Sequence, residues 1–253
     1  MEVTFLGTGT SGGVPLIGCQ CEVCKSTDPR DKRLRTSILI QTNDLTIAVD
    51  CGPDFRQQML REDVRSIDAI LMTHAHRDHT GGFDDIRAFN FINKKAIDVY
   101  CDLPTELGIK EQYSYAFTET DYPYLPKMNF HRIQDSEFRI QNLAVQPIQV
   151  MHATMPVLGY RFGDFTYITD AKTIAKEERD KIRGTKILVV NALRPENHYS
   201  HFTIDEALEL VADVKPEFTY FIHMSHQFGL HSETEKKLPA NVRVAYDGLK
   251  IKI

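Results

Sequence analysis

Thr73-His-Ala-His-Arg-Asp-His-Thr-Gly-Gly82 decides the reading of this chain. Its His-x-His-x-Asp-His core sets four potential metal ligands, His74, His76, Asp78 and His79, within six residues. It follows the apolar run 67–72 (IDAILM), which has the composition of a buried strand. A strand that opens into a loop is where a rigid scaffold presents reactive groups. Three imidazoles and a carboxylate packed this closely need a shared partner, and a bound cation supplies one.

Four residues cannot fill the coordination shells of two metals, so further ligands are expected downstream. His152 follows the apolar stretch 143–151, Asp170 follows the alternating run 165–169, and His223 follows the β-rich run 218–222. Each alone reads as an ordinary polar residue after a strand. In series behind His-x-His-x-Asp-His they read as one constellation.

With those residues in view, the chain resembles the metallo-β-lactamase superfamily over nearly its whole length. The opening Phe5-Leu-Gly-Thr-Gly-Thr-Ser-Gly-Gly13 and the segment Val49-Asp-Cys-Gly-Pro-Asp54 are similar to it as well. The resemblance implies an α+β fold, the four-layer αββα sandwich, with metals at one edge between the sheets. It implies that one divalent ion takes His74, His76 and His152, the other Asp78, His79 and His223, and that Asp170 and a water bridge them. Imidazole and carboxylate ligands accept Zn²⁺ or Mn²⁺ alike.

Three of the five cysteines cluster as Cys19-Gln-Cys21-Glu-Val-Cys24. Without a secretory signal, such clustering reads as metal-binding rather than disulfide. A closed tetrahedral zinc site needs a fourth ligand, and His226, three residues past His223, is the candidate. This structural Zn²⁺ resembles that of the cyclic phosphodiesterases of phosphonate breakdown. Cys51 and Cys101 stand in apolar surroundings and read as small core residues.

The 253 residues, 42% of them hydrophobic, suffice for one large domain, 1–253, with a zinc-stapled loop at about 7–35. A net charge of −5 without a basic block disfavours a grip on long nucleic acid. No apolar run approaches the ~18 residues of a membrane span, and the first residues lack a signal-peptide pattern, so a cytoplasmic location is expected. A homodimer stays open. Strands are expected at 2–6, 36–42, 45–50, 67–72, 97–101, 137–141, 143–150, 157–163, 165–169, 186–190, 218–222, 242–246 and 249–253. Helices are expected at 54–61, 83–88, 104–112, 173–181, 204–213 and 232–238. Residues 113–128 (YSYAFTETDYPYLPKM) read either as an aromatic lid over a substrate pocket or as a packed covering loop.

Two adjacent metals activate a water, polarise a substrate oxygen and stabilise a leaving oxygen, which suits phosphodiester, thioester and lactone hydrolysis alike. His201 discriminates. It precedes Phe202-Thr-Ile-Asp-Glu206, where Thr203 and Glu206 form a capping box that opens a helix. His201-Phe-Thr203 resembles the His-x-Thr element of superfamily phosphodiesterases, which implies a proton donor or phosphate contact. The catalytic assignments are therefore Asp78 and His201, and Arg194 and Arg87 are the cations placed to pair with a phosphate. The expected activity is hydrolysis of a small, cyclic phosphodiester, closest to the phosphoribosyl 1,2-cyclic phosphate phosphodiesterases. Transfer-RNA 3′ processing and thioesterase or lactonase chemistry are the alternatives.

Overall fold

The central strands of this chain bury both of their faces, which is why they read as nearly continuous apolar runs. The computed structural model describes residues 1–119 and 122–253. In chain order the strands are β1 (Glu2–Gly7), β2 (Ser37–Gln41), β3 (Thr46–Val49), β4 (Ala69–Leu71), β5 (Ile97–Cys101), β6 (Met128–Arg132) and β7 (Phe138–Ile140). They continue as β8 (Leu143–His152), β9 (Met155–Phe162), β10 (Phe165–Tyr167), β11 (Ile187–Asn191), β12 (Phe218–Ile222), β13 (Val242–Val244) and β14 (Lys250–Lys252). They form two seven-stranded sheets, ordered β14-β1-β2-β3-β4-β5-β6 and β13-β12-β11-β10-β9-β8-β7. Each sheet is mixed. Antiparallel pairing at β1, β2 and β3 gives way to parallel pairing from β3 to β6, and antiparallel β8, β9 and β10 give way to parallel pairing from β10 to β13.

The period-2 alternation of strand side chains sorts the apolar residues into three layers. Ile38, Ile40, Ile47 and Val49 of the first sheet meet Tyr160, Phe162, Phe165 and Val189 of the second between the sheets. Leu39 and Ala48 point the other way, towards Phe55, Met59, Phe89 and Ile109 on the covering helices. The outer face of the second sheet does the same with Leu188, Val190 and Phe221 against Ala207, Leu210 and Val211. The result is the expected α+β sandwich, helix on sheet on sheet on helix.

The helices are α1 (Glu22–Lys25), α2 (Phe55–Arg61), α3 (Arg77–Thr80), α4 (Arg87–Asn93), α5 (Leu103–Gln112), α6 (Lys176–Ile182), α7 (Ile204–Val214) and α8 (His231–Glu235). Several expectations need correction. The helix expected at 83–88 is a 3-10 turn, Phe83–Ile86, that leads into α4. The one expected at 173–181 begins only at Lys176. Residues 7–35 are not plain loop, since they hold α1 and a 3-10 turn, Pro29–Asp31. β6 was not expected. It is a five-residue edge strand in which Met128 and Phe130 pack on the core and Asn129, His131 and Arg132 are exposed, an alternation too short to stand out after the Pro-rich segment before it.

Residues 120 and 121 of the candidate lid lie outside the described residues. Of the rest of that segment, Tyr113 is buried with its hydroxyl donating to the Thr80 carbonyl, and Phe117 packs on Phe130. Among the described residues, no helix is long and apolar enough to cross a membrane.

Candidate metal centre

Functional side chains gather where β3, β4, β8, β10 and β12 end, the carboxyl edge at which parallel sheets present ligand sites. After β4 the chain stays extended, so His74 and His76, two apart, project to one side, with ring centroids 4.6 Å apart. The single turn of α3, entered at His76, then rotates Asp78 and His79 towards a second position. Asp170 and His223 both adopt left-handed backbone, at φ 56° and 57°. Such a conformation costs roughly 1–3 kcal/mol in a non-glycine residue and persists where the surroundings enforce it.

The side chains converge. His79 Nε2 lies 3.3 Å from Asp78 Oδ2 and 3.2 Å from Asp170 Oδ2. His223 Nε2 lies 3.3 Å from Asp170 Oδ1 and 3.8 Å from Asp78 Oδ2. His152 and His76 stand with ring centroids 5.2 Å apart. Ligand atoms fall within 4.8 Å of one another in three overlapping groups: Asp78, His79 and His223; His74, His79 and Asp170; His152, Asp170 and His201. Asp170 belongs to two of them, as a bridging carboxylate requires. The first group matches one of the two ligand sets implied by the resemblance. The other set is looser: His76, which is exposed, joins none of these groups, and His201 stands beside His152 instead.

The ring nitrogens show what the cluster is built to hold. His79 Nδ1 donates to Asp50 Oδ2 at 2.7 Å. Thr73 Oγ1 donates to the Asp50 carboxylate and so accepts from His74 Nδ1 at 2.9 Å. His152 Nδ1 donates to the carbonyls of Ser200 at 3.0 Å and Asp170 at 3.2 Å. Carbonyls and carboxylates only accept, so each Nδ1 carries its proton and each Nε2 turns a lone pair inward. His74 Nε2, His79 Nε2 and His223 Nε2 are buried there without a hydrogen-bond partner. Inward lone pairs facing two carboxylates suit a divalent cation, and the donor set fits the group the sequence implies.

The electrostatics show a site rich in negative charge, in which a proton on His79 competes for the position a cation would take. Burial opposes ionisation of Asp170, yet His223 and His79 hold it well below the usual carboxylate range. Burial likewise opposes the charge on His79, but Asp50, Asp170 and Asp78 raise its pKa. His74, dominated by burial, is pushed down.

A second cluster lies on the other side of the segment that carries His223. Cys19 Sγ and Cys21 Sγ approach His226 Nδ1 at 3.3 and 3.4 Å, and Cys24 completes a group within 4.8 Å. Cys21 caps α1, where the Cys24 N–H and His226 lower its pKa to about 6, while burial pushes Cys24 up to about 11. Cys51 and Cys101 are fully buried among the helix-facing core residues, as expected.

Residues 46–224 match the family model described as a beta-lactamase superfamily domain. The chain belongs to the beta-lactamase superfamily. Members of this superfamily with similar structures include metal-dependent hydrolases. A solved diphosphatase of the PhnP family is 38% identical with a TM-score of 0.93, covering 100% of this chain and 97% of that one. An octanoyltransferase of Porphyromonas gingivalis is 40% identical over 99% of this chain and 51% of its own length. A ribonuclease Z of Pseudomonas putida is 27% identical over 65% of this chain and 47% of its own length. The chain thus spans about half the length of these two curated relatives.

Within this superfamily frame, the sequence reading passed over two residues that hold the site. Asp50 is fully buried at φ 67° and braces both His79 and, through Thr73, His74. Val49-Asp-Cys-Gly-Pro-Asp54 carries part of the resemblance, but nothing in its spacing marks Asp50 as a brace. Gly52 in the same segment lies against the metal loop, where an added Cβ would stand 2.1 Å from the Asp78 carbonyl. Both arginines singled out as phosphate contacts have protein partners. Arg87 pairs with Asp84, and Arg194 bonds Gln227 and the carbonyls of Glu196 and Asn197.

Proposed function

We propose that this protein is a dinuclear-metal phosphodiesterase that hydrolyses a small, cyclic phosphodiester of the phosphoribosyl cyclic phosphate kind. One observation carries the reading: the placement of His201. Its Nδ1 lies 3.7 Å from Asp170 Oδ1, its ring is 4.5 Å from that of His152 and 4.8 Å from that of His223, and it is 8% exposed. The capping box of α7 fixes it, with the Thr203 N–H donating to Glu206 Oε2 at 2.8 Å and the Glu206 N–H to Thr203 Oγ1 at 3.1 Å. Burial and the neighbouring His223 push its pKa down to about 3, so the ring is neutral near pH 7 and takes up the proton it donates only when a phosphate anion beside it favours the charged form.

In this reading His74, His76, Asp78, His79, His152, Asp170 and His223 hold two divalent ions, Zn²⁺ or Mn²⁺, and Cys19, Cys21, Cys24 and His226 hold a structural Zn²⁺. Ions held there supply Lewis-acid activation of a water and of a phosphoryl oxygen. The protein's own residues do the rest. Asp50 and Thr73 fix the tautomers of His79 and His74. Asp78 and Asp170 provide the negative charge that retains the cations. His201 gives a proton to the departing sugar oxygen, a poor leaving group for which general acid catalysis contributes about 10²–10⁴ in rate. The likeness to the PhnP-family diphosphatase supports phosphoryl chemistry.

A second reading is acyl ester or thioester hydrolysis, favoured by the 40% identity to the Porphyromonas octanoyltransferase. Ribonuclease Z activity is weaker, because the chain carries −5 net charge and no basic arm to grip RNA. The test is a hydrolysis screen of zinc- and manganese-loaded protein against cyclic ribose phosphates, bis-p-nitrophenyl phosphate, an octanoyl thioester, a lactone and a transfer-RNA precursor. Turnover of the cyclic phosphates is expected. Turnover of the thioester alone would move the second reading ahead.

A further inference from the structure

The loop 194–201 runs from solvent to the metal centre and presents an exposed aromatic side chain. His201 is 8% exposed, and Tyr199, two residues earlier, is 77% exposed. Between them the rings form a continuous series: His201 to His198 at 5.1 Å and 27°, His198 to Tyr199 at 5.7 Å and 41°. The loop is held in place at several points. The Leu193 N–H donates to the Phe202 carbonyl at 2.9 Å and the Ile204 N–H to the Arg194 carbonyl at 3.2 Å, which closes its base. Lys172 Nζ bonds Asn197 Oδ1 at 3.1 Å and Glu206 Oε1 at 2.6 Å. The Ser200 N–H approaches His198 Nδ1 at 3.4 Å, so His198 has its lone pair turned into the loop and its Nε2–H turned outward. A braced loop that presents a large aromatic ring to water has the form of a binding surface.

Arg194 adds charge. Its three protein acceptors are a side-chain amide and two backbone carbonyls, all neutral. A guanidinium has five N–H donors, so two donors and the whole positive charge stay available to an anion.

We propose that loop 194–201 is the substrate-recognition platform of this site, with the Tyr199 and His198 rings stacking a nucleobase and Arg194 sharing the charge of the attached phosphate. The inference rests on the phosphodiesterase reading but departs from its phosphoribosyl substrate. The substrate carries a planar base, as a nucleoside cyclic phosphate does, rather than a bare sugar phosphate. Base stacking on an aromatic side chain tolerates any base, so selectivity among the four bases is expected to be weak.

The experiment compares kcat/KM for adenosine 2′,3′-cyclic phosphate with that for the base-free methyl ribofuranoside 2,3-cyclic phosphate. Tyr199→Ala is expected to lower the ratio of base-bearing to base-free turnover about tenfold, through KM, whereas Tyr199→Phe keeps it. An unchanged ratio in Tyr199→Ala overturns the platform. If the metal-loaded wild type hydrolyses neither compound, the phosphodiesterase reading fails, and calorimetric titration with AMP and with ribose 5-phosphate decides the platform separately. Tighter binding of AMP than of ribose 5-phosphate, with the difference lost in Tyr199→Ala and both ligands weakened in Arg194→Gln, supports it. No AMP binding, or the same Kd in Tyr199→Ala, overturns it.

Discussion

The two metal-type clusters meet on one short segment, with His223 on one and His226 on the other, yet they are built on opposite principles. The cysteine cluster is local. Three of its four ligands lie within six residues, two of the cysteines are partly exposed, and one turn of α1 orders them. The His/Asp cluster is assembled from the ends of strands in both sheets, buries most of its ligand atoms, and fixes its ring nitrogens with Asp50, Thr73 and the Ser200 carbonyl. A local cluster staples a loop and can yield without unmaking the core. A cluster assembled by tertiary contacts depends on every layer beneath it, and its buried, unpartnered nitrogens are there for chemistry.

The contrast can be broken first at Asp170, the residue shared by two ligand groups. Asp170→Ala is expected to abolish hydrolysis and to lower the catalytic metal from about two ions per chain to one or none. Elemental analysis beside an activity assay checks it, and full activity with unchanged stoichiometry would remove the central claim. His201→Ala comes next. Metal content should hold, while turnover of a sugar-alkoxide leaving group falls about 10²–10⁴-fold and that of an activated aryl phosphodiester much less. Equal losses on both would mean that His201 orients the phosphate. No loss on either would favour the acyl hydrolase reading.

Asp50→Asn tests the bracing. The amide can still accept from the Thr73 N–H but weakens the charge-assisted bond to His79 Nδ1, so catalytic metal affinity should fall about 10–100-fold with zinc retained at the cysteines. Competition with a chelator, read separately for the two sites, decides it. Cys21→Ser should have the smallest effect on chemistry. Its thiolate is coupled to folding of the 7–35 loop, so melting temperature and sulfur-ligated zinc should fall while kcat per intact catalytic site stays near wild type. If kcat falls as steeply as in Asp170→Ala, the two clusters are not separable and the comparison is wrong.

The convergence of the candidate ligands was legible because each stretch follows a strand-forming run, and strand ends are where a sheet releases side chains. The capping box was legible because Thr203 and Glu206 have fixed spacing and a purely local purpose. β6 was not, since only Met128 and Phe130 of its five residues face the core, and two apolar residues are too short a pattern to mark a strand. The commitment of Arg87 to Asp84, three residues away, could have been read from its helical spacing. The commitment of Arg194 to Gln227, 33 residues away, could not.

By itself the sequence determined the α+β layering, the candidate ligand residues and the cysteine cluster, because these rest on periodicity and short spacings that local chemistry enforces; the four-layer sandwich came from the resemblance those motifs carry. Only the tertiary structure decided how the ligands are shared, that Asp50 and Thr73 set the imidazole tautomers, that His201 rather than His76 stands closest to His152 and Asp170, and that Tyr199 faces solvent beside them. Those relations join residues far apart in the chain, and their distances exist only once two sheets have packed and brought their strand ends to one edge.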